Sequence, residues 1–336
     1  MTNKRILITG VAGFIGSHFL QHVLENTDWD IVGVASWKHK GTPERVEEVL
    51  ASNPEWKKRV EIITHDLESP FTETTKKKLG KFDYIVNIAA QSHVERSIDD
   101  PVPFVQNNVN SVLTMLEFAR ETNPEVFLQI STDEVYGVAP TGVNHREWAS
   151  ILPSNPYSAS KACQEAIAIS YWRTYGVPLV ITNTMNNFGE MQDAEKYIAK
   201  TIRLVAKGET IPVHGKEGQI GSRYYLHARN HADALLFLLK RGKVTKFDED
   251  HLVPDRYNVV GDIELDNLTV AKIIAEIMGK TLKYILVDFH STRPGHDRRY
   301  ALDGSKLRSL GWKPPVEFRE SLRRYITWTI EHPLWL

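Results

Sequence analysis

Two short runs of this sequence hold side chains whose types and spacing could do chemistry. In Asn155-Pro156-Tyr157-Ser158-Ala159-Ser160-Lys161 a phenol and an amine stand four residues apart, the separation that places two side chains on one helix face. Asn155 predicts the helix N-cap and Pro156 its first residue. An ammonium beside a phenol favours the phenolate and lowers its pKa. Such a tyrosine can take the proton of a hydroxyl while a nicotinamide takes the hydride from the same carbon. The second run, Ser131-Thr132-Asp133-Glu134-Val135-Tyr136-Gly137, ends an apolar stretch with a hydroxyl and two adjacent carboxyl groups. Neighbouring residues on a strand point to opposite faces, so for both carboxyl groups to serve one site the chain must turn just after Thr132.

A third run sits at the N-terminus. Arg5–Thr9 reads as a strand and leads into Gly10-Val11-Ala12-Gly13-Phe14-Ile15-Gly16, followed by the helical pattern Ser17–Glu25. Gly10, Gly13 and Gly16 permit a tight turn, close approach of a pyrophosphate and close helix–strand packing, with the helix N-terminus facing the negative charge. A strand before and a helix after the glycines are the context that makes this a dinucleotide fingerprint. After the second strand the chain reads Val34-Ala35-Ser36-Trp37-Lys38-His39-Lys40. No carboxylate is there to bond a ribose 2′-hydroxyl, whereas Ser36 and Lys38 suit a 2′-phosphate. The expectation is therefore weakly for NADP over NAD.

Short Val- and Ile-rich runs must position these groups: Arg5–Thr9, Ile31–Ala35, Val60–Thr64, Tyr84–Ala89, Phe127–Ser131 and Leu179–Thr182, separated by amphipathic stretches. This alternation predicts an α/β fold, a Rossmann-type doubly wound parallel sheet covered on both faces. The regularity fades after about residue 183. A smaller, discontinuous C-terminal substrate-binding domain is expected, with residues 1–183 plus about 224–252 in the dinucleotide-binding domain and 184–223 and 253–336 in the other. With 336 residues, 41 Lys and Arg against 42 Asp and Glu, and one cysteine, Cys163, the chain excludes an intramolecular disulfide. It also argues against broad attraction to nucleic acid or membrane surfaces. The longest apolar run, Ala234–Leu239, falls well short of the roughly 20 residues of a membrane helix. A cytoplasmic protein is the expectation.

Together these runs resemble the extended short-chain dehydrogenase/reductases, and most closely the dTDP-glucose 4,6-dehydratases. The matching pieces are Thr9–Gly16, Asp66-Leu67, Ala89-Ala90-Gln91-Ser92-His93-Val94-Glu95-Arg96-Ser97, Ser131–Gly137, Tyr157–Lys161, Thr182–Gly189 and Arg293-Pro294-Gly295-His296-Asp297-Arg298-Arg299-Tyr300. The resemblance implies NDP-hexose 4,6-dehydration. Tyr157, with Lys161 and Thr132, would oxidise the hexose at C4. Glu134 would remove the C5 proton, Asp133 would protonate the leaving C6 hydroxyl, and hydride would return to C6. Two carboxyl groups in opposite protonation states suit that chemistry. The resemblance also implies that Phe14, Ile15, Asp66, Leu67, Ala89 and Asn187 contact the cofactor. Ser92, Asn186, Arg223, Asn267, Arg293 and His296 would contact the nucleotide sugar, with Arg223 on the diphosphate. A homodimer through helices near Pro103–Arg120 and Ala159–Tyr175 is a further implication.

The sequence departs from its relatives in four places. Ala35 replaces the strand-end Asp, Gln91 replaces a Glu, Gly221 and Ser222 precede Arg223 as extra residues, and the segment from Gly137 to Pro153 is short. The nucleotide base and the sugar stay open. A sugar-nucleotide epimerase or decarboxylase would share Tyr157 and Lys161 without needing Asp133 and Glu134, and a nonenzymatic NADP-sensing module would need none of the four. His227 and His231 share helical spacing but lack the Glu of a zinc-protease motif, so no metal is expected.

Overall fold

A computed structural model of the chain describes residues 3–242, 244–288 and 298–335. Its centre is a sheet of β1 (Arg5–Thr9), β2 (Asp30–Ala35), β3 (Val60–Thr64), β4 (Tyr84–Asn87), β5 (Val126–Thr132), β6 (Leu179–Thr184) and, late in the chain, Asp255–Val259. The spatial order is Asp255–Val259, β6, β5, β4, β1, β2, β3, and every pair is parallel. The strands alternate with helices α1 (Phe14–Asn26), α2 (Pro43–Ala51), α3 (Glu73–Leu79), α4 (Val94–Asp99), α5 (Pro101–Thr122) and α6 (Pro156–Tyr175). Two apolar clusters cover the two sheet faces. Phe19, Leu20 and Val23 of α1 pack on Ile6, Ile8 and Val86, and Val112, Met115 and Trp172 of α5 and α6 pack on Leu7, Ile85 and Phe127. Because β4 and β5 lie between helices on both faces, every residue of both is buried and their sequences are mainly apolar.

The smaller region holds the short strands β7 (Asn187–Phe188), β8 (Ile211–Lys216), β9 (Gln219–Ile220), β10 (Ser222–Arg223) and β11 (Leu226–His227). Helix α7 (Tyr197–Lys207) lies among them, whereas α8 (Ala228–Arg241) packs Ala232, Leu235 and Leu239 with α1 against the main sheet. Then come β12 (Asp255–Val259), β13 (Leu265–Asp266), α9 (Asn267–Ile277), β14 (Tyr284–Val287), α10 (Ser305–Ser309) and α11 (Phe318–Glu331). A third cluster joins Ile198 and Ile202 of α7, Ile274 of α9, and Leu322 and Tyr325 of α11. β12 corrects a boundary, since the expectation placed 253–336 in the smaller domain. Its sequence, Asp-Arg-Tyr-Asn-Val, alternates polar and apolar as an edge strand does, so it lacks the apolar run that marked the other six.

The sheet order reverses between β1 and β4. At that crevice Gly10 (φ +65°) turns the chain so closely past the β4 end that an added Cβ would lie 3.0 Å from the Ala89 Cα. A Cβ on Gly16 would lie 2.1 Å from the Gly10 carbonyl oxygen. These two glycines are thus demanded by geometry, and they open the crevice where ligands bind in such sheets.

Candidate active site

One continuous cleft of about 830 Å³ runs from the glycine turn, across the C-terminal ends of β4, β5 and β6, to the start of α9. Behind its lining residues Ala89, Ile130 and Lys161 runs a buried polar ladder. The Thr9 hydroxyl donates to Asn87 Oδ1 (2.7 Å) and accepts from the backbone N–H of Ile88 and Ala89, Asn87 Nδ2 donates to Gln129 Oε1 (2.8 Å), and Gln129 Nε2 donates to Gln164 Oε1 (3.3 Å). The same Gln164 oxygen accepts from Lys161 Nζ (2.5 Å), which also donates to the Ile130 carbonyl (2.7 Å). The ladder therefore carries register from the glycine turn to the α6 amine.

α6 begins as its sequence predicts. Asn155 accepts from Ser158 N–H, Ser158 closes a reciprocal capping box, and Pro156 is the first residue. Asn155 Nδ2 is also 3.2 Å from Glu134 Oε2, to which it donates. The turn required after Thr132 is a single 3-10 helix, Asp133–Tyr136, with the Thr132 hydroxyl accepting from Glu134 N–H and donating to Asp133 Oδ1 (2.9 Å). Thr132, Asp133, Glu134 and Lys161 are all buried, and with Tyr157 they line the same part of the cleft. Asp133 Oδ2 has no partner among the described residues.

Burial rules the electrostatics. It pushes the Asp133 carboxyl up to about 7, with the neighbouring Glu134 charge adding to the rise. It brings the Lys161 amine down to about 8, opposed by the Glu165 carboxylate. Tyr157 is pushed above the ordinary phenol range, by burial first and then by the charges of Glu134 and Asp133. This last direction is opposite to the one expected from the Tyr157–Lys161 spacing. The amine is turned to Ile130 and Gln164 rather than to the phenol, so at rest it does not lower the Tyr157 pKa.

The cofactor end of the cleft is lined by Gly10, Gly13, Phe14, Ile15, Gly16, Ser36, Lys38, Asp66, Leu67, Ala89 and Asn187. Helix α1 starts at Gly13 without a side-chain cap or an acidic first turn, leaving its N–H groups for an anion. Asn187 Oδ1 is buried with no partner among the described residues. A flat, two-phosphate dinucleotide fits this cradle. The lean toward a 2′-phosphate finds no support, because the Lys38 ammonium is already ion-paired with Asp66. The carboxylate missing from the end of β2 is in effect supplied from the segment after β3.

On the substrate side Ser92, Asn186, Arg223 and Asn267 line the cleft. Asn186 Oδ1 is buried and unpartnered among the described residues. Arg223 lies over the Tyr300 ring at 4.4 Å and donates to the Arg298 carbonyl. Asn267 opens α9 and accepts from the Tyr225 hydroxyl (2.7 Å). Arg293 and His296 lie outside the described residues. Sequence reasoning passed over Gln192, Lys196 and Tyr300, which also line the cleft. Tyr300 donates to Glu134 Oε2 (3.5 Å), and Gln192 Nε2 donates to the Asn187 carbonyl (2.8 Å). Tyr300 ends the run that begins at Arg293 and had that signal in the sequence; Gln192 had none. Among the described residues no group of three or more His, Cys, Asp or Glu side chains is placed to hold a metal ion, and no helix is long and apolar enough to cross a membrane.

Comparison with known proteins places the site in context. A family model described as GDP-mannose 4,6 dehydratase matches residues 7–325. The low-salt glycan biosynthesis protein Agl12 of Haloferax volcanii is 36% identical, covering 94% of this chain and 96% of that protein. The dTDP-glucose 4,6-dehydratase of Salmonella typhimurium is 34% identical over 99% and 94%. Among solved structures, a dTDP-glucose 4,6-dehydratase of Streptomyces venezuelae with NAD bound superposes with a TM-score of 0.85, at 31% identity, covering 98% of each chain.

Proposed function

The chain belongs to the family of sugar-nucleotide 4,6-dehydratases, and from that premise we propose that it converts a dTDP- or UDP-linked hexose of the glucose type to the 4-keto-6-deoxy sugar, with NAD as its cofactor. The observation that carries this reading is the buried Asp133–Glu134 pair, one carboxyl raised to about 7, in the cleft that Tyr157 and Lys161 line. An epimerase on this scaffold has no step that needs both carboxyl groups.

Bound along the cleft, oxidised NAD supplies a hydride acceptor and a positive charge. Gly10, Gly13, Phe14, Ile15 and Gly16 would hold its diphosphate, Ser36, Lys38, Asp66 and Leu67 its adenosine, and Ala89 and Asn187 its nicotinamide half. In this reading the Tyr157 oxygen, with the Thr132 hydroxyl fixing it, takes the proton from the hexose 4-hydroxyl as a phenolate. Burial and the two carboxylates keep the phenol protonated at rest, so the phenolate would form once the Lys161 amine and the positive charge of bound NAD offset them. The 4-ketone acidifies C5–H. Glu134, held by Asn155 and Tyr300, removes that proton. Asp133, kept protonated near neutrality by burial, gives its proton to the C6 hydroxyl, which leaves as water; the hydride taken from C4 would then return to C6 and a proton be added at C5, giving the 4-keto-6-deoxy sugar. Arg223 pairs with the substrate diphosphate, and Ser92, Asn186 and Asn267 position the nucleotide sugar. We assign dimer formation to α5 and α6, the two helices to which the sequence resemblance points.

The test is incubation with dTDP-, UDP-, GDP- and CDP-hexoses in deuterated water, followed by mass spectrometry. The expected product has lost one water and carries solvent deuterium at C5. An isomeric product with no water lost would overturn the dehydratase reading in favour of an epimerase, and tight NAD binding without turnover of any of them would favour a sensor.

A further inference from the structure

Behind the reacting groups lies a second buried layer that the chemistry above does not use. Glu165 stands one helical turn after Lys161 on α6 and has no exposed surface. Its Oε2 accepts from Arg256 Nη2 (2.7 Å), which comes from β12 and is equally buried. Its Oε1 accepts from Asn183 Nδ2 (2.7 Å) on β6, and that nitrogen also donates to the backbone carbonyl of Thr132 (3.1 Å). Arg256 is itself braced from the segment after β5. Its Nη1 donates to the Tyr136 hydroxyl (3.2 Å) and the Glu147 carbonyl (3.1 Å), and its guanidinium lies 4.2 Å from the centre of the Trp148 ring.

Removing two charges from water costs several kcal/mol each, and a well-packed apolar pair of similar volume often does as well or better for stability. A fully buried Glu–Arg pair one layer from a cleft therefore asks for a role other than holding the fold. The position of this one gives it two outlets. One is the Lys161 amine, through the electric field across one helical turn. The other is the Thr132 carbonyl, through Asn183.

We propose that Glu165, held in place by Arg256 and Asn183, is a positioning residue that acts as the counter-charge of Lys161 and fixes the Thr132 end of β5. The inference rests on the reading of Lys161 and Thr132 as part of the oxidising machinery. Burial pulls the Lys161 amine down and Glu165 is what opposes it, so loss of this carboxylate lets the amine fall further. The titratable and charged groups around the cluster are Tyr157 on α6, Asp133, Glu134 and Tyr136 on the turn after β5, Glu147 beyond it, and Arg256 on β12. Gln164 and the Ile130 carbonyl touch the amine as neutral acceptors. Glu165 is itself paired with Arg256 and acts on the amine across one helical turn rather than by direct contact, so the coupling is expected to be about one pKa unit at most.

The experiment follows Lys161 directly, by NMR titration of lysine labelled at the ε-carbon and ζ-nitrogen, with Lys161→Met to assign the signal. It is run on the full chain and on Glu165→Asp, Glu165→Gln and Glu165→Gln/Arg256→Met, with the pH–rate profile measured in parallel. The double variant leaves no unpaired buried cation, so it keeps the test available if Glu165→Gln does not fold. The Lys161 titration, near pH 8 in the parent, is expected to move down by about one unit at most in the Gln variants and to recover in part in Glu165→Asp. The alkaline limb of C4 oxidation, followed as single-turnover nicotinamide reduction so that it is separate from the Asp133-dependent loss of water, should move with it, and KM should change less than kcat. A Lys161 signal that titrates at the parental pH in a folded Gln variant overturns the proposal, as does a loss of kcat with the alkaline limb unmoved. Because the NMR signal needs no substrate, a parent that turns over no sugar nucleotide would sink the dehydratase reading while leaving the Glu165–Lys161 coupling to be judged on its own.

Discussion

The two ends of the cleft use the same residue types to opposite effect. At the adenosine end Lys38 and Asp66 meet at the surface. Direct contact pulls the Lys38 amine up and, although partial burial raises the Asp66 carboxyl, Lys38 and the Glu68 N–H outweigh it and pull that carboxyl down. Both groups are thereby held in their charged forms. At the catalytic end Lys161 and Asp133 are buried and do not touch. The amine is brought down to about 8 and the carboxyl raised to about 7. Contact in water fixes charge, whereas burial without contact poises a group to exchange a proton near neutral pH. A Lys and an Asp read from the sequence are therefore only half a statement, and solvent supplies the other half.

The largest effect should come from breaking the catalytic end at its base. Glu134→Gln is expected to lower product formation by about 10³-fold, within the range for loss of a general base, while C4 oxidation survives. Reduced nicotinamide should then accumulate in its absorbance band without any 6-deoxy product. If dehydration continues undiminished, Glu134 has no part in it.

Asp133 sharpens the comparison through pH. Its carboxyl is near 3.8 when the chain is unfolded and about 7 when folded, so between those values the native state binds the extra proton. Stability from this group is thus fully present below about pH 4 and is lost as pH rises through 7. Asp133→Asn removes the titration. Its melting temperature should exceed the parent's above pH 7, and the gap should close toward pH 4. Turnover should fall about 10²-fold, and the parent's own dehydration rate should decline above pH 7 as the acid is lost. Equal melting curves across that range would show that Asp133 does not carry the buried charge. Both outcomes are read from the same two proteins, by calorimetry and by product assay.

Much of the catalytic end was legible in the sequence because its logic is local. Asn155, Pro156, Tyr157 and Lys161 fall within seven residues, and the need for a turn after Thr132 follows from strand geometry alone. The glycine turn was legible for the same reason. What escaped were pairings between distant segments. Asp66 pairs with Lys38 across 28 residues, which removes the support that Ser36–Lys40 gave to a 2′-phosphate. Arg256 reaches Glu165 across 91 residues, from a strand too polar to be recognised as part of the sheet. Tyr300 reaches Glu134 across 166. The sign of the Tyr157 shift also escaped, because spacing on a helix says which side chains share a face but not where a flexible amine points. Here Gln164, at the end of the ladder from Thr9, holds it elsewhere.

The smallest effect belongs to the surface pair, and it tests whether contact alone sets the cofactor choice. Ion pairs in solvent contribute little to stability and are screened by salt, so Lys38→Ala should leave the melting temperature unchanged and alter NAD affinity less than about threefold. Asp66→Asn is the more telling change. It releases the Lys38 ammonium while keeping an amide beside the adenosine end of the cleft, and a free cation there suits a 2′-phosphate. Titration calorimetry on the apoprotein should show NADP gaining several-fold relative to NAD in Asp66→Asn. That gain should vanish in Lys38→Ala/Asp66→Asn and shrink as salt is raised. If NADP gains equally with Lys38 removed, the discrimination comes from the shape of the turn at Trp37 and His39, both of which hold left-handed backbone angles near φ +55°. The surface end would then depend on backbone geometry rather than on charge.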